Sequence, residues 1–213
     1  MSESQKSQDT RSRTGAHDPD PALEEFTGEV ADQIESFVVA VTEIARGEKP
    51  AEAVALLLLE VSQLVLAGGR LGAIADVVPE ERFEPDSGPD PDADELRLAL
   101  AELLGPADEY CELFDPYTDH PEVLTARLSD DLAEVAATLV HGLQHYRAGR
   151  WTEALWWWQF SYLSSWGGTL TSALRALQSV VAHVRLDGGF EAAADAEAAA
   201  LVTEVVESVD VPE

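Results

Sequence analysis

The sequence predicts an all-α fold: an antiparallel helical bundle or a stack of helical hairpins, with six to eight helices. Three observations lead there. Apolar residues recur at steps of three and four along most of the chain. Glycines and prolines fall at helix-length intervals, where helices start and stop. No run of useful length alternates as a strand should. At 213 residues the chain suits one domain with tails. The expected division is a disordered tail over 1–19, a single helical domain over 20–188, and an acidic, alanine-rich helix and tail over 189–213.

Asp20 can cap a first helix with Pro21 in its first turn. Phe26, Val30, Ile34, Phe37, Val41 and Ile44 then form one apolar stripe, and Gly47 is the expected left-handed stop. Pro50 opens a second helix to about Ala67, with Gly68 and Gly69 as its terminators. Leu56, Leu57, Leu58 and Leu59 make this helix apolar nearly all round, so it is expected to be buried and central. An acidic, proline-rich loop covers 79–94. Asp92 and Glu95 have capping-box spacing for a third helix running to Leu104. Residues 107–114 read as a short helix, and Asp115-Pro116 and His120-Pro121 as turns. Ser129 is the expected cap of a long helix carrying Leu132, Val135, Ala136, Leu139, Leu143 and Tyr146, ended by Gly149. Thr152 caps the next helix, and Trp166-Gly167-Gly168 should bend or break it. A last core helix carries Leu170, Leu174, Leu177, Val181 and Val184 before Gly188-Gly189.

Charge bounds the function. Asp and Glu number 41 against 13 Lys and Arg, a formal net charge of −28. That argues against neutralising nucleic-acid phosphates and against docking on anionic membranes. A single cysteine, Cys111, excludes an internal disulfide framework and any multi-cysteine metal site. The N-terminus lacks the apolar stretch of a signal peptide, and Ala53–Ala67 is shorter than a bilayer span. A cytoplasmic location is expected.

All five tryptophans fall between Trp151 and Trp166. Trp156, Trp157 and Trp158 point about 100° apart on a helix, so one neighbour cannot cover all three. Two readings follow: an aromatic patch that grips a partner, or a helix sandwiched between two others. With Tyr146, Arg150 and Arg175, Trp157 makes a candidate partner-binding surface. The arginines of this half can equally pair with the chain's own acidic loop or tail. His141 and His145 stand one helical turn apart, above Glu134. Two imidazoles so placed can face one divalent metal, with Glu134 as a third ligand, although a polar helix face explains them as simply. Asp130 and Asp131 suit the first turn of a helix through its dipole. No Ser-His-Asp motif, phosphate loop or dinucleotide fingerprint is present.

Gly142, Tyr146, Gly149, Trp151, Ala154 and Trp158 resemble one tetratricopeptide hairpin, with small residues where two helices approach. A broader pattern spans roughly residues 27 to 186. It comprises Tyr110, Phe114-Asp115-Pro116, Asp130-Asp131-Leu132, Gly142-Leu143, Tyr146, Gly149, Ala154-Leu155-Trp156, Trp166-Gly167 and Ala173-Leu174-Arg175-Ala176-Leu177. It resembles the bacterial domain-of-unknown-function family five thousand and sixty-three. The resemblance implies an all-helical fold and no activity. Histidines that flank the Trp-Gly step in that family are Ser165 and Gly168 here. Genes of similar actinobacterial proteins often lie near a recombinational-repair gene.

The leading expectation is therefore a non-enzymatic protein-interaction module with no cofactor and a protein partner. The alternatives are a metal- or small-ligand-binding helical domain with hydrolase-like activity, and an acidic DNA mimic that regulates a repair enzyme.

Overall fold

The computed structural model describes residues 21–79, 85–113, 117 and 123–186. The expected tails, His120-Pro121, Asp115-Pro116 and Gly188-Gly189 lie outside these residues.

Helix α1 (Pro21–Ala45) begins at the proline, where the missing N–H costs nothing. Val30, Ile34, Phe37 and Val41 are fully buried, as their spacing requires. α1 is the hub: it packs against α2 (Pro50–Ala73), α3 (Asp94–Leu104), α4 (Leu128–Arg147) and α5 (Trp151–Ser161). After α5 the chain passes through a π-helical turn, Tyr162–Trp166, and resumes as α-helix over 167–186.

Several expectations are corrected. α2 does not stop at Gly68-Gly69 but continues to Ala73. A Cβ on Gly68 would lie 2.6 Å from Tyr162 Cδ2, and one on Gly72 would lie 2.9 Å from Tyr162 Cε1. These glycines let an aromatic ring approach the α2 backbone; they do not end the helix. Nor is α2 central. Val54, Leu57, Val61, Leu64, Ala67 and Leu71 are buried, but Leu56, Leu59 and Leu66 are 49, 54 and 66% exposed. Extended to Ala73, Glu52–Ala73 is long and apolar enough to cross a membrane by length and composition alone. Gly47 has no positive φ; among the described glycines only Gly88, Gly105 and Gly149 do. Gly149, at φ 78°, closes α4 with Arg150 N–H donating to His145 O at 3.0 Å.

The expected helix over 107–114 is a strand. β1 (Glu109–Leu113) pairs antiparallel with β2 (Val123–Arg127), Cys111 opposite Thr125. Five-residue strands are too short to show a period of two against noise. A 3₁₀ turn, Gly105–Ala107, delivers Asp108 to the start of α4. There Asp108, and not Ser129, supplies the cap. Its buried carboxylate accepts from Ser129 N–H and Ser129 Oγ, both at 2.8 Å, and pairs with Arg127 at 3.0 Å. An acid at a helix N-terminus satisfies orphan N–H groups and meets the positive end of the dipole.

Trp166-Gly167-Gly168 does not break the chain. Trp158, Tyr162, Trp166 and Leu170 repeat at steps of four, a row that drifts by about 40° per step on a straight α-helix. The wider π turn takes up that drift, so Trp158, Trp166 and Leu170 are all buried. Gly167 permits it: a Cβ there would come to 2.5 Å of Tyr162 O.

Candidate functional site

Tryptophan is mostly structural here. Trp158 is fully buried, its Nε1–H donating to Leu139 O at 3.1 Å. A Cβ on Gly142 would lie 2.6 Å from Trp158 Cδ1, so α4 and α5 can approach only over a glycine. Trp166 is buried and donates to Ser161 Oγ at 3.1 Å. Trp157 is half-buried, donating to Thr138 O at 2.8 Å and carrying the His141 ring at 4.3 Å. The half-buried Trp156 stacks on the exposed Phe160 at 5.5 Å.

The predicted partner-binding residues do not form one open patch. Tyr146 packs toward α1, its hydroxyl 3.5 Å from where a Gly28 Cβ would stand. Arg150 donates to the carbonyl of Asp86 at 3.0 Å, tying down the acidic loop. Arg175 is exposed on the helix over 167–186. The predicted metal trio is not assembled either. His141 and His145 meet edge to face at 5.2 Å, while exposed Glu134 lies two turns back on α4. Among the described residues no three His, Cys, Asp or Glu side chains are grouped to hold a metal. His183 faces the Ser179 carbonyl, and Cys111 is exposed on β1.

The concave feature lies on the other face of α4. Val38, Thr42 and Ala45 of α1, Leu96 and Ala99 of α3, and Ala136, Ala137 and Val140 of α4 line a cleft of about 500 Å³. Small side chains on three facing helices create the space. Gln144 closes one end by donating to Pro89 O at 3.0 Å, which seats residues 85–93 along the cleft. Asp90, Asp92 and Glu95 stand on its rim, with Arg46 at the far side. A second cleft of about 450 Å³ shares Pro91, Asp92, Ala93 and Ala137 and runs on past Arg97, Asp130 and Glu134. Arg97 pairs with Asp94 and lies 3.6 Å from Asp130, so it answers carboxylates of the chain itself.

Beside this second cleft, Tyr110 Oη donates to Asp131 Oδ2 at 2.7 Å and joins β1 to α4. Burial pushes the Asp131 carboxyl up to about 6. The Tyr110 hydrogen bond works against that shift, and the charges of Glu112, Asp130 and Glu134 add to it. Burial, then Asp131, holds the Tyr110 hydroxyl well above its ordinary range. Sequence reading missed this pair because strand β1 was not legible. It missed Gln159 too. That buried amide donates to Leu71 O at 3.0 Å and accepts from Val77 N–H at 2.8 Å, finishing the end of α2.

Fold and cleft define a helical domain with a small two-stranded hairpin and a groove between three helices. The chain belongs to the family described as Domain of unknown function (DUF5063), matched over residues 21–183. The crystal structure of protein BF1032 from Bacteroides fragilis is similar in fold, with a TM-score of 0.54 and 19% identity. The match covers 74% of this chain and 89% of that one. No curated protein matches.

Proposed function

We propose that this protein is a non-enzymatic interaction module whose α1–α3–α4 cleft receives a peptide segment bearing aliphatic and basic side chains. The single observation that carries this reading is the cleft itself. Its floor is Val38, Ala99, Ala137 and Val140, and its rim is Asp90, Asp92 and Glu95. An apolar floor with a mainly acidic rim, its Arg46 already paired with Glu43, favours a ligand of matching shape and opposite charge. The resemblance of α4 and α5 to a tetratricopeptide hairpin is consistent with such a role. The proposed surface replaces the tryptophan-centred one, since Trp157, Tyr146 and Arg150 are occupied within the chain.

Selection of a random peptide display library on the intact protein tests it. The expected peptides place Lys or Arg beside aliphatic residues, bind more weakly at high salt, and lose binding on Ala137→Leu, which fills the groove. Selected peptides that bind wild type and Ala137→Leu equally would overturn the reading. The metal reading of His141, His145 and Glu134 has a separate check in elemental analysis of the purified protein.

A further inference from the structure

We propose that the outward face of α2 is a self-association surface: two copies of this chain pack α2 against α2, antiparallel, about a two-fold axis between Ser62 and Gln63. Leu56, Leu59 and Leu66 lie on one side of the helix and are about half exposed or more. Single exposed leucines are ordinary; three in line along one helix face are a patch. The stripe is self-complementary. About that axis Leu59 falls opposite the partner copy's Leu66, and Leu56 opposite Gly69, where nothing stands within 4 Å of a Cβ position. A leucine over a glycine is a knob over a gap. Ser62, at the axis, returns its hydroxyl to Leu58 O at 2.6 Å, which lowers the cost of covering it.

Charge selects the same face. The chain carries −28, so two copies repel wherever carboxylates meet. Over Pro50–Ala73 the only charged residues are Glu52, Glu60 and Arg70. Of these, Glu52 is paired with Lys49 at 2.9 Å and Arg70 with Glu29, so the face carries little unanswered charge. A helix of this length presents a strip about 36 Å long. Leu163, beyond Gly72, is 63% exposed and extends the strip. That area is at the low end for stable interfaces, so the expected affinity is micromolar.

Sedimentation equilibrium of the full chain over a micromolar concentration range tests the proposal. Wild type should show a monomer–dimer equilibrium, and Leu59→Glu or Leu66→Glu should weaken it by about 100-fold or more. The double variant Leu59→Lys/Leu66→Glu puts opposite charges at the paired positions and should restore dimer. In a Cys111→Ser background, Ser62→Cys should cross-link to its copy at least about tenfold faster than Ala148→Cys, on the exposed turn after α4. A wild type that stays monomeric overturns the proposal, as does one that is monomeric and floats with phosphatidylcholine vesicles, which would assign the face to lipid. Equal cross-linking at 62 and 148, or no rescue by the charge pair, also overturns it.

Discussion

The tryptophan-rich stretch from Trp151 to Trp166 and helix α2 are both strongly apolar, yet they bury that character differently. In the first, Trp158 and Trp166 are buried and the indole N–H groups of Trp157, Trp158 and Trp166 all donate within the chain. Their room comes from glycines on neighbouring helices, Gly142 for Trp158 and Gly68 for Trp166 and Tyr162. α2 supplies that room on its inner face and leaves Leu56, Leu59 and Leu66 outward. Sequence reading left two placements open for the tryptophans, a gripping patch or a sandwiched helix, and set α2 at the centre. What separates the two is what each packs against. α5 lies among α1, α2 and α4, whereas α2 meets α1, α3 and the α5–π segment with its inner face and leaves the other face open.

Removing a ring from the saturated region should give the largest effect. Trp158→Ala empties a fully buried site and loses the bond to Leu139, so it should cost about 3–5 kcal/mol of unfolding free energy. Urea denaturation checks it; a loss under about 1 kcal/mol would show that the α4–α5 contact is loose.

Two adjacent glycines of α2 sharpen the contrast. Gly68→Ala drives a methyl into Tyr162 and should destabilise by about 1–3 kcal/mol. Gly69→Ala meets nothing within 4 Å and should stabilise by up to about 1 kcal/mol through helix propensity. Thermal unfolding at low protein concentration should therefore move in opposite directions for the pair.

A smaller effect is expected at Asp131. Its carboxyl rises from 3.8 unfolded to about 6 folded, so the folded state binds the proton more tightly. The associated stability is present below pH 4 and is lost as pH rises through 6. Partial exposure reduces the full linkage energy to about 1 kcal/mol. Asp131→Asn should remove this slope: the stability of wild type relative to the variant falls between pH 4 and 7 and is flat above. A flat difference throughout would place the Asp131 carboxyl at its ordinary value.

How much was legible follows from where each signal resides. α1, α3 and α4 were readable because their stripes and their nearby prolines and glycines are local. The end of α2 was not, because Gly68 and Gly72 answer to Tyr162, far along the chain. The cap of α4 was misassigned for the same reason: Asp108 reaches Ser129 across the β hairpin. The π turn depends on keeping Trp158 and Trp166 inward together, which no single window contains. At the candidate site, the sequence pointed to α4 through Glu134, His141, His145 and Tyr146, but not to Asp131, Ala137 or Gln144. A groove is made by what small residues leave empty, and an alanine in a sequence does not announce what stands opposite it.

The central claim is that the outer face of α2 serves association, while its inner face and the tryptophan region hold the fold. Urea unfolding of wild type and of Leu59→Ser/Leu66→Ser, each across a wide range of protein concentration, tests it directly. The wild-type midpoint should rise with concentration, and the variant's should not. At the lowest concentration the two should agree within about 0.5 kcal/mol, as exposed substitutions do. A variant less stable by several kcal/mol at every concentration would mean that these leucines belong to the monomer's own core, and would contradict the account.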